Sequence, residues 1–146
     1  MGRLNPTIDE LKTFAELADK AYQDWIPESD DKNDSNNNKS TIPIGDKTFT
    51  VKKVLNDTET GTYAFLAEDE QGNKYIVFRG TEEKGDIKYL LNDKDLANDI
   101  DILMGKTPEQ LKVAQDWINN LKDNGLISES DNVYAVGHSL GGYLAN

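Results

Sequence analysis

The sequence predicts an α/β fold, a central mixed sheet flanked by helices, and three observations carry that prediction. A helical apolar pattern opens the chain, and three short strand patterns joined by turn chemistry follow it. A second helical pattern then leads into an apolar run that ends in Gly137-His138-Ser139-Leu140-Gly141-Gly142. All 146 residues read as one domain. A chain of this length buries roughly 68–70% of its unfolded surface, enough for a substantial core.

Taken in order, Thr7-Ile8-Asp9-Glu10 has capping-box spacing, and Leu11, Phe14, Ala18, Tyr22 and Trp25 recur at helical intervals as far as Pro27. That predicts a helix with an aromatic-rich stripe. Residues 28–41 hold Ser, Asp, Asn and Lys around Asn36-Asn37-Asn38, too little apolar surface to offset the entropy of ordering, and read as a flexible loop. Strands are expected at 49–55, 62–67 and 75–78. The turn sequences between them, at 56–61 and 70–73, make these strands an antiparallel meander. Residues 82–106 read as an acidic excursion with a short helix near 94–103. Thr107-Pro108-Glu109-Gln110 opens the next helix with a cap and a proline at its first position. Leu111, Ala114, Trp117, Ile118 and Leu121 form the buried face of that helix, and Asn124-Gly125 ends it. A last strand is expected at 132–136.

Twenty-seven acidic residues against sixteen basic ones give a formal charge of −11. That argues against nucleic acid or an anionic membrane surface as a partner, though not against a lipid reached through a local apolar patch. With no cysteine, disulfides, thiolate metal sites and cysteine nucleophiles are all excluded. The first six residues do not form a signal peptide, and no run reaches membrane-spanning length. Localisation stays open: the composition suits a bacterial protein that is cytoplasmic or exported by a signal outside these residues.

An apolar strand running into Gly137-His138-Ser139-Leu140-Gly141 and then a helix is the setting of a nucleophile elbow. There a serine at the tip of a sharp turn faces backbone N–H groups of the following helix, and glycines beside it avoid collision with neighbouring elements. The bland alternative is a glycine-rich loop that needs small residues. A second corner weighs against it: the apolar run Tyr75-Ile76-Val77-Phe78 ends in Arg79-Gly80-Thr81, where a second oxyanion donor belongs.

Together, Val77-Phe78-Arg79-Gly80-Thr81, Asp95-Leu96-Ala97-Asn98-Asp99-Ile100, a long helix and Ala135-Val136-Gly137-His138-Ser139-Leu140-Gly141-Gly142 resemble the class 3 lipases over roughly residues 7–146. These include fungal triacylglycerol lipases, plant phospholipase A1 enzymes and bacterial relatives. The resemblance implies an α/β-hydrolase fold, a serine esterase mechanism, a lipid or small ester substrate, and neither metal nor cofactor. It makes Ser139 the nucleophile and assigns the oxyanion hole to Leu140, through its N–H, and Thr81. Gly137, His138, Gly141, Arg79 and Gly80 become structural neighbours. Leu96 stands where the family has a tryptophan, and Asp99 where it often has an acid.

The family's catalytic Asp and His follow the serine, and no residue from Leu140 to Asn146 can take those roles. His138, the one histidine, adjoins the serine on a turn that sends neighbouring side chains elsewhere, so it is expected to pack rather than act as base. The expected fold is therefore incomplete, with C-terminal strands missing. The isolated chain is expected to show little or no esterase activity and slow fluorophosphonate labelling of Ser139. The missing base would come from a C-terminal segment or a second chain. A non-catalytic binding or regulatory module on a hydrolase scaffold is the alternative. The strand 132–136 is expected to lie at an unpaired sheet edge, favouring homo-oligomers. Asp93, Asp95, Asp99 and Asp101 read as a solvated acidic face rather than a calcium loop. Trp25 and Trp117 read as core residues, and Arg79 as a partner of the acidic excursion or a plain surface ion pair.

Overall fold

The computed structural model describes residues 7–28, 40–80, 86–104 and 107–139. It is of the α/β class, with one mixed sheet of six strands between two helical layers. The strands are β1 (Thr41–Ile44), β2 (Lys47–Asp57), β3 (Thr62–Glu68), β4 (Lys74–Phe78), β5 (Asp86–Leu91) and β6 (Val133–Ser139), in spatial order β1-β2-β3-β4-β6-β5. The first four form the expected antiparallel meander, now including β1, which pairs with β2 from Thr41↔Thr50 to Ile44↔Lys47. β4 and β6 are parallel, with Phe78 opposite Gly137, and β5 runs antiparallel along the far side of β6.

Helix α1 (Ile8–Lys20) lies on one face. Its capping box forms as the spacing requires: the Glu10 N–H donates to the Thr7 hydroxyl at 3.1 Å, and the Thr7 N–H donates to the Glu10 carboxylate at 2.9 Å. Phe14 and Leu17 pack with Phe49, Phe65, Tyr75, Val77, Tyr134 and Val136 beneath them. The helix stops seven residues short of Pro27 because its last turn is claimed by tertiary contacts. The Trp25 indole N–H donates to Lys20 O at 2.7 Å, and the Trp25 backbone N–H donates to the Tyr63 hydroxyl at 2.9 Å. Trp25 is a core-flanking residue against Phe65, but it sits beyond the helix.

Three helices cover the other face: α2 (Leu96–Asp99), α3 (Asp101–Met104) and α4 (Pro108–Asp123). Leu96, Ile100, Leu103, Ala114, Ile118 and Leu121 close over Leu66, Ile76, Phe78 and Ala135, with Trp117 at the margin. α4 begins with the expected capping box of Thr107 and Gln110, and the chain turns away at Gly125 (φ +75°). The Gln110 side chain also donates to Thr60 O at 2.6 Å, tying the helix start to the β2–β3 turn.

Three expectations are corrected. The run 133–136 is no sheet edge: β6 lies between β4 and β5. Its second neighbour comes from the stretch read as an acidic excursion, where Ile87, Tyr89 and Leu91 alternate and pack against the α1-side core. The flexible loop expected at 28–41 does not include Glu28, Ser40 or Thr41. The Glu28 N–H donates to Val51 O at 2.8 Å, and the Val51 N–H donates to Ser40 O at 2.7 Å, so both ends are fixed on β2. Residues 29–39, where the rest of that expectation falls, lie outside the described residues.

Candidate functional site

The sheet's one parallel pair ends in the two corners singled out by the sequence. β4 runs out at Phe78 into Arg79 and Gly80, and β6 runs through Gly137 and His138 to Ser139. Ligands of open α/β sheets gather outside the carboxyl ends of parallel strands, where helix and strand ends leave a crevice. The corners touch through backbone. A Cβ built on Gly80 would stand 1.5 Å from the His138 carbonyl oxygen and 2.5 Å from its carbon, so only glycine allows this approach. At Gly137 a Cβ would meet Phe78 O at 3.3 Å and Phe78 Cβ at 3.5 Å, a tight but smaller conflict.

The strand before the serine is longer than expected. It extends three residues past Val136, with Ser139 opposite Asp86 in the β5–β6 register. Thr81, Leu140 and Gly141 lie outside the described residues, as does the helix expected after the serine.

His138 is buried against the end of α1 and the turn after it. Its ring stacks on Tyr22 with centroids 5.8 Å apart and planes 22° apart. Nε2 stands 3.4 Å from Asp19 Oδ1, while Nδ1 is buried without a hydrogen-bond partner. Among the described residues, Arg79 meets none of the acidic excursion. Alternation along β4 turns it toward the α1 face, where Nε donates to Ala21 O at 2.7 Å and Nη2 donates to Gln23 O at 3.4 Å. Nη2 also approaches Asp24 Oδ1 at 3.6 Å, and the guanidinium lies 4.0 Å over the Tyr63 ring. A planar cation thus occupies the carbonyl-rich end of α1, where positive charge is favoured. Burial pushes the Tyr63 hydroxyl upward in pKa, opposed by the Trp25 N–H bond and the nearby Arg79 charge. No local pattern in the sequence signals that Asp19 and Tyr22 meet His138, because the contact spans the sheet's upper layer.

Leu96 is buried in the second core. Asp99 is held above the usual carboxylate range by its hydrogen bond with Asp93, then by burial and by the charges of Asp93, Asp95 and Asp101. Among the described residues, no group of three or more His, Asp or Glu side chains is arranged to hold a metal ion. No helix among them is long and apolar enough to cross a membrane. A cleft of about 660 Å³ opens at the opposite end of β6, lined by Asn92, Lys94, Lys122, Asp131 and Asn132 among others. It lies at the amino end of the strand and does not serve the two corners.

No family model, curated protein or solved structure matches the chain. The site therefore stands on its own geometry and on the motif resemblance.

Proposed function

We propose that these residues carry the nucleophile half of a serine ester hydrolase of the α/β-hydrolase type, acting on lipid or other carboxylic esters. The observation that supports it best is the backbone contact of Gly80 with His138, which sets the end of β4 beside the strand end that carries Ser139. In the proposed mechanism the Ser139 hydroxyl attacks the ester carbonyl. The N–H groups of Leu140 and Thr81 then hold the developing oxyanion, where fixed dipoles are most effective. The one histidine of the sequence is committed to packing on Tyr22. In this reading the base that accepts the serine proton is not His138.

The test supplies the base from solution. The 146-residue chain alone should turn over p-nitrophenyl butyrate barely above background, and added imidazole should raise hydrolysis in a way that Ser139→Ala abolishes. A rescued rate that Ser139→Ala leaves untouched would overturn the proposal. The pairing of Ser139 with Asp86 favours a second reading, a binding module on the same scaffold whose serine stays in the strand. That reading expects no serine-dependent rescue.

A further inference from the structure

His138 lies on β6 and makes the corner contact itself, Arg79 follows β4 and adjoins Gly80, and both grip the end of α1 and the turn after it. His138 stacks on Tyr22 and faces Asp19, while Arg79 bonds Ala21 O and Gln23 O and approaches Asp24. Between them the Gly80 backbone presses on the His138 carbonyl. We infer that the C-terminal end of α1 and the turn that follows it, residues 19–24, are the positioning element of the site, with Asp19 orienting His138 and thereby setting the spacing between the Gly80 and Ser139 backbones. Its significance for catalysis rests on the esterase reading; the geometry of the brace does not.

The ring chemistry makes the inference specific. A neutral imidazole carries one N–H and one lone pair. With a carboxylate oxygen 3.4 Å from Nε2 and no partner at the buried Nδ1, the ring places its proton on Nε2. The other tautomer would bury an orphaned donor and set a lone pair against a carboxylate. Asp19 itself is 68% exposed, so its removal leaves no hole in the core. A role in ring orientation is thus separable from a role in stability. Asp19 is a positioning residue because it acts on the site only through His138.

The single histidine permits a clean experiment on the whole chain labelled with ¹⁵N. Ring nitrogen shifts should report the Nε2–H tautomer in the parent. Asp19→Ala should mix the tautomers and shift the Gly80 and Ser139 amide resonances while the melting temperature stays unchanged, and Asp19→Glu should restore the parent spectrum. Imidazole-rescued, Ser139-dependent hydrolysis should fall about tenfold in Asp19→Ala through kcat rather than KM, because a small misplacement of reacting groups is costly. Unchanged tautomer and amide shifts in Asp19→Ala overturn the inference. If those signals move while hydrolysis shows no dependence on Ser139, the brace stands and the esterase reading falls.

Discussion

At the scale of single residues, the sharpest constraint is Gly80. A methyl group there overlaps a backbone carbonyl, which cannot rotate away as a side chain can. Gly80→Ala is therefore expected to cost more than about 4 kcal/mol, at the extreme of single substitutions. Gly137→Ala, whose conflict is a few tenths of an ångström, should cost about 1–3 kcal/mol. Urea titration of both variants checks the order. Asp131 offers a pH test. Burial pushes its carboxyl up, but the Lys74 ammonium and the Ser128 backbone and hydroxyl groups together hold it below the ordinary range. Lys74 stands 3.2 Å from Asp131 and also donates to Leu126 O. A depressed carboxyl stabilises the fold above its unfolded pKa and loses that contribution as pH falls through the folded one. Asp131→Asn should accordingly lower the urea midpoint at pH 7, and the difference should shrink below about pH 4.

At the scale of elements, the legible parts were those specified locally. Both capping boxes, the Asn124-Gly125 stop and the three central strands follow from spacings of a few residues, and the structure has them. Thr107→Ala should cost about 1 kcal/mol, seen as a lower thermal midpoint, because α4 loses the cap that accepts the Gln110 N–H at 3.3 Å. What escaped reading was decided at a distance. The end of α1 is set by Trp25, Tyr63 and Arg79 meeting across the chain, and helical spacing alone continues past it. β1 is four residues with a proline, too short to announce itself. β5 did carry a period-two signal in Ile87, Tyr89 and Leu91, but charged neighbours on both sides concealed it. The contact of His138 with Asp19 and Tyr22 was not legible, since nothing near Asp19 in sequence points to a histidine more than a hundred residues away.

For the whole molecule, the placement of β5 changes the expected behaviour in solution. With β6 paired on both sides and its core residues Ala135 and Val136 fully buried, its amides should exchange at the rate of global unfolding. The outer strands β1 and β5 should exchange faster. Exchange in β6 as rapid as in β5 would contradict the sheet order. The two outer strands are also unlike each other: Pro43 blunts the β1 edge, whereas β5 has charged residues, Asp86 and Lys88, as deterrents to strand addition.

The paired bonds at Val51 have a practical consequence. Its carbonyl and its amide receive the outgoing and returning chain, from Glu28 and Ser40, so the intervening stretch starts and finishes at one anchorage on β2. Closing a flexible loop costs only about 0.6 kcal/mol more when its length doubles. An affinity tag, a fluorophore or a reporter domain inserted between Glu28 and Ser40 would therefore leave and rejoin the sheet at a single β2 residue.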